Sequence, residues 1–138
     1  MRNYAFSSVL AVVAFGCSLI EPNGHLLTVQ TEKAVYGVNE GVAISLYNGS
    51  QERVYFHVCG GVDRTLFTLR DDEWIVKYST VGGMCAGGGQ IVALEVGRSI
   101  TFRIPGGDVG TYLVRVPYGV RSDNTDGGHI ESNVFTVQ

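Results

Sequence analysis

Two sulfurs, an imidazole and a thioether carry the sharpest chemistry in this sequence. His57 and Cys59 lie two apart, so in an extended strand they share one face. Met84 and Cys85 are adjacent in the glycine-rich run Gly82 to Gly89, GGMCAGGG. A fold that joins Cys59 to Cys85 brings His57 and Met84 along. Reduced, these four residues form a donor set suited to Cu(I) or another soft metal. Oxidised, the two cysteines form a disulfide that pins the loop to a strand end. The compartment decides between the two outcomes. The spacing matches neither a C-x-x-C zinc pattern nor a blue-copper ligand run.

Other chemistry has weaker support. No G-x-S-x-G nucleophile elbow occurs. His25, His57 and His129 lie far apart, and no Ser or Cys has an activating context. Gly87-Gly88-Gly89 lacks the Lys of a phosphate loop. Asp123-Asn124-Thr125-Asp126-Gly127 misses the acidic spacing of an EF-hand and suits a solvated turn. The expectation is a non-enzymatic protein with no catalytic residues and no cofactor.

The N-terminus is an address. Residues 1–16, MRNYAFSSVLAVVAFG, carry one charge, Arg2, ahead of an apolar run too short to span a bilayer. The run, the small residue Gly16 and then Cys17 resemble the lipobox of bacterial lipoproteins, with Phe15 bulkier than that pattern's usual residue. The resemblance implies cleavage before Cys17 and acylation of its thiol. It also implies anchorage in the bacterial cell envelope, on the outer membrane in a Gram-negative cell. The alternative is plain secretion, or release to the periplasm, after cleavage at Gly16. Residues 1–16 are then the signal peptide, 17–25 a tether and 26–138 the folded domain. An odd count of three cysteines fits this division. With Cys17 lipidated, Cys59 and Cys85 remain as a pair, and export favours their disulfide. Closing a loop of about 27 residues is worth roughly 3–4 kcal/mol in the chain-entropy account.

The elements that must position these groups are strands. The chain has 138 residues with 19 Gly, which argues against helices. Without Arg2, nine basic residues face thirteen acidic ones and are scattered singly, which disfavours nucleic acid as a partner. Apolar and polar residues alternate over 42–47, 54–59, 100–104 and 111–116, as half-buried antiparallel strands require. Weaker candidates are 26–33, 65–70, 74–79, 90–96 and 129–137. Asp71-Asp72-Glu73 separates TLFTLR from WIVKYS and predicts a hairpin. The expected fold is all-β, an antiparallel sandwich of about seven to nine strands. Tyr47 and Tyr55 fall on the less apolar faces of their strands and, with Tyr118, are candidates for a recognition patch.

Asp108-Val109-Gly110-Thr111-Tyr112, opening an alternating strand, resembles the tyrosine corner of immunoglobulin-like sandwiches, with Asp108, Gly110 and Tyr112 as its structural residues. Val114 stands where antibody-type domains carry a Cys, so the inter-sheet disulfide of that group is absent. Together with Lys33–Gly37, Glu40–Gly49, Trp74, Val96–Ser99 and Ser132–Val137, these residues resemble the immunoglobulin-like (Big-like) domains of bacterial surface lipoproteins. The resemblance covers about residues 26–138. It implies a binding or structural module with a protein or envelope-polymer partner, and brings no catalytic residues. The working surface is expected at loops 80–89 and 119–128. Two alternatives stand beside it: a copper-type site on His57, Cys59, Met84 and Cys85, and an inhibitor of an envelope protease or hydrolase.

Overall fold

The computed structural model describes residues 27–123 and 127–138. The expected signal peptide, the tether, Cys17, His25 and most of the 123–127 turn lie outside them. Among the described residues eleven strands follow one another: β1 (Leu27–Thr31), β2 (Val35–Tyr36), β3 (Val42–Asn48), β4 (Val54–Val58), β5 (Thr65–Arg70), β6 (Glu73–Ser79), β7 (Gln90–Leu94), β8 (Ser99–Ile104), β9 (Gly110–Tyr118), β10 (Gly128–Glu131) and β11 (Phe135–Val137). One sheet runs β1-β3-β8; the larger runs β2-β11-β9-β5-β6, with β10 also on β9; β4 and β7 pair apart. All pairs are antiparallel except β2 with β11. This is an immunoglobulin-like sandwich.

Period-two alternation builds its core. Val42, Ile44 and Leu46 of β3 are buried, as are Tyr112, Val114 and Val116 of β9. They meet in one cluster that also takes Phe56 and Leu94 from the β4–β7 pair. Tyr36, Tyr112 and Phe135 close its lower end, with Phe135 stacked on Tyr112 and edge-on to Tyr36. The sandwich therefore has a single core, with both sheets contributing inward residues.

The β5–β6 hairpin turns on Asp71 and Asp72, both at positive φ (49° and 65°), the conformation of a tight two-residue turn. Short Asp side chains tolerate this left-handed region. Glu73 belongs to β6 rather than to the turn.

Two features depart from the sequence reading. The single strand expected over 129–137 is two, β10 and β11. Ser132 exchanges bonds with Val114 through its Oγ (3.0 Å) and its N–H (2.8 Å). Asn133 turns away to bind Thr31 through both amide atoms, at 2.8 and 2.7 Å. The chain thus leaves β9 to tie down the end of β1, then returns. Second, β4–β7 extends the β5–β6 hairpin: β4 leads into β5 on one arm and β6 leads toward β7 on the other. Loops 59–64 and 80–89 are excursions from this long hairpin.

Candidate functional site

The two excursions leave their arms at the same level and are joined there. Cys59 and Cys85 form a disulfide, with 5.6 Å between their Cα atoms. The first excursion is a tight reversal: Cys59 N–H donates to the Gly61 carbonyl and Asp63 N–H to the His57 carbonyl, at 2.8 and 2.9 Å. Gly60 and Gly61 make it possible by adopting φ of 65° and 149°. Both sulfurs are consumed in the disulfide. Met84 points fully into solvent. The four-residue soft-metal set is therefore not assembled in the oxidised chain.

His57 has another partner. Its Nδ1 lies 2.6 Å from Asp63 Oδ2. The Asp63 carboxylate is buried, and its Oδ1 has no hydrogen-bond partner among the described residues. This pair was not foreseen, although the Gly60-Gly61 turn between the two residues was a signal for it. Gly89 packs so close that an added Cβ would lie 1.9 Å from His57 Nε2. The second excursion thus closes over the imidazole, and the pair fixes the ring's orientation beneath it. The arrangement is a polar anchor for the two loops.

A groove on the larger sheet is lined by Thr65, Ser79, Val81, Arg115, Pro117, Gly128 and His129. Val81 brings in the start of loop 80–89, and Gly128 and His129 bring in the end of the 119–128 turn. The Thr65 and Ser79 hydroxyls are 2.9 Å apart. Arg115 binds Glu131 Oε1 through Nε (2.9 Å) and Nη2 (2.6 Å) and lies over the Phe67 ring. Cation, imidazole and hydroxyls together suit a ligand rich in oxygen acceptors. The groove crosses β5, β6, β9 and β10, so no local motif announced it.

At the other end of β9, the Tyr112 hydroxyl donates to the Asp108 carbonyl at 2.7 Å. Lys77 Nζ reaches the same hydroxyl (3.2 Å) and Asp108 Oδ2 (2.9 Å). Hydrogen bonding to Lys77, then its charge, holds the Asp108 carboxyl below the usual carboxylate range. Asp108 and Tyr112 in turn hold the Lys77 ammonium above its ordinary value. Gly110 lies against the Tyr112 ring: an added Cβ would sit 3.2 Å from the hydroxyl. This cluster ties β6 to the start of β9 and shares no residue with the groove lining. The three tyrosines do not form one patch: Tyr47 is exposed on the smaller sheet, Tyr55 bridges to Gly119, and Tyr118 packs against the core.

Fold and site define a class: an all-β immunoglobulin-like sandwich with a disulfide between two loops of one hairpin. No protein-family model and no curated protein matches the chain. Among solved structures, it is similar to Spo0M, a sporulation control protein from Bacillus subtilis, at 12% identity and a TM-score of 0.40, over 81% of this chain and 48% of that one. The CARDB domain of a Pyrococcus furiosus protein, solved in complex with di-metal ions, matches at 15% identity and a TM-score of 0.37, over 81% and 87%. A β-glucosidase from Listeria innocua, in complex with gluconolactone, matches at 14% identity and a TM-score of 0.32, over 81% and 16%. The chain spans about half the length of Spo0M. Likenesses this distant carry no argument about activity.

Proposed function

We propose that this chain is a non-enzymatic binding module of the bacterial envelope. Cys17 anchors it through lipid, and the groove between loop 80–89 and the start of β10 holds a protein or envelope-polymer ligand. The observation that supports this best is the Cys59–Cys85 disulfide, which anchors loop 80–89, the loop whose Val81 lines the groove. A staple of this kind persists in oxidising compartments, and it stiffens one wall of a surface that otherwise consists of loops. Lipidation at Cys17 supplies a stable anchor only if more than one acyl chain is attached.

Two experiments test the proposal separately. A Cys17→Ser chain should move from the membrane fraction to the soluble fraction; retention in the membrane overturns the anchor. Pull-downs from the native envelope should recover a ligand with the wild-type chain and lose it with Arg115→Ala/His129→Ala. Equal recovery by both chains overturns the groove. A second reading, inhibition of an envelope hydrolase, is favoured by the full exposure of Met84 on a disulfide-anchored loop. Under that reading, Met84→Asp abolishes inhibition and leaves the groove-dependent recovery intact.

A further inference from the structure

Strand β6 ends the larger sheet, and among the described residues nothing pairs with its outer edge. Natural edge strands are usually shortened, covered, kinked by Pro or guarded by several charges. This one is seven residues long, EWIVKYS, without Pro or Gly; its guards are Glu73, Lys77 and the bulge at Lys77, where the register with β5 shifts between Leu66 and Phe67. Trp74, Ile75 and Val76 are exposed by 39%, 37% and 58%. Ile75 pairs with buried Thr68 yet is itself exposed. On the outer face, Trp74 stands beside Leu69 and Val76 beside Phe67, which widens the apolar strip.

The backbone sets which pairings are allowed. The two-residue turn makes Arg70–Glu73 the closing, hydrogen-bonded pair of the hairpin. Alternation then makes Thr68–Ile75 hydrogen-bonded as well, and leaves the N–H and C=O of Trp74 and Val76 directed at the open edge.

We propose that β6 pairs antiparallel with β6 of a second copy, about a twofold axis at Ile75. In that register Trp74 of each copy lies opposite Val76 of the other, so the outward groups meet in four main-chain bonds. Side chains agree with it. Glu73 falls opposite Lys77 of the other copy twice, and Ile75 opposite Ile75. Lys77 keeps its bond to the exposed Asp108 carboxylate and gains a second acid. The acidic turns, Asp71-Asp72, lie at opposite ends of the ribbon and do not repel each other. The twofold satisfies both copies with one patch, so assembly stops at two. The pairing sets Asp71 of the second copy opposite Ser79, at one edge of the groove, and leaves Arg115 on β9 two strands away, so it goes beyond the binding role.

Sedimentation velocity on the full chain across a concentration series tests the pairing. The expected result is a reversible monomer–dimer equilibrium. Ile75→Lys sets like charges face to face and should raise the midpoint concentration roughly tenfold or more. In a Cys17→Ser background, Ile75→Cys should give a dimer cross-linked by mild oxidation that the Cys17→Ser chain alone does not give. Leu69→Cys, on the neighbouring strand, should not cross-link. Circular dichroism confirms that each variant is folded. A chain that stays monomeric throughout overturns the proposal. So does a dimer insensitive to Ile75→Lys, equal cross-linking at both cysteine positions, or growth into open-ended oligomers.

Discussion

Tyr112 shows how one hydroxyl can serve two elements. It donates to the Asp108 carbonyl and lies within reach of the Lys77 ammonium, which ties the start of β9 to β6. Tyr112→Phe keeps the ring's packing on Phe135 and removes both contacts. Urea unfolding should show a loss of about 1–1.5 kcal/mol. The Lys77–Asp108 pair adds a pH dependence whose sign follows from the directions of its shifts. Asp108 binds its proton less readily folded than unfolded. Its contribution is therefore present above the ordinary carboxylate value, about 3.9, and is lost as pH falls through the lowered folded value. Lys77 is the mirror case: its contribution holds below about 10.4 and is lost as pH rises through the raised folded value. Asp108→Asn should flatten the acid limb of a stability–pH curve and leave the variant and parent equal at the acid extreme. The D-x-G-x-Y spacing was readable because it is local. The His57–Asp63 contact depends on a six-residue reversal, which alternation patterns do not report.

Among the elements, β3, β4, β8 and β9 were legible because each buries one face, which imposes strict alternation. Strand β6 was legible mainly through its turn, since neither of its faces is deeply buried. Two-residue β2 is too short to carry a period and exists only because β11 lies beside it. The long hairpin leaves no continuous pattern in the sequence because two loops interrupt it, and its continuity rests on pairings between β4 and β7 far apart in sequence. The disulfide holds those interruptions together. Cys59→Ala/Cys85→Ala should destabilise the fold by roughly 3–4 kcal/mol, from the loop length alone. Hydrogen exchange should accelerate most in 59–64 and 80–90, while β3 and β9 keep their protection until global unfolding. A second element-scale constraint is Gly106, where an added Cβ would lie 2.5 Å from the Glu40 carbonyl oxygen. The obstacle is backbone, so Gly106→Ala should cost about 1–3 kcal/mol by thermal or urea unfolding.

At the scale of the whole molecule, a single core joins both sheets and the β4–β7 pair. Ile44, completely buried on the smaller sheet, should report on all of it. Ile44→Ala is expected to lower stability by about 2–5 kcal/mol. Trp74 fluorescence, read from the far edge of the larger sheet, should shift together with far-ultraviolet circular dichroism in one transition. The parallel pairing of β2 with β11 matters in another way. Leu27 begins β1 opposite Asn48, while Val137 lies beside Gly110 near the other end of the sandwich. Thr136 and Gln138 donate to the carbonyls of Ala34 and Tyr36 at 2.9 and 3.0 Å. Tension between the Leu27 end and the Val137 end would slide β2 along β11 and strain these bonds together instead of peeling them one by one. A chain held at its N-terminal side and pulled from the other end would therefore resist stretching as a unit, and its lifetime under load would be set by the barrier to shearing this short seam.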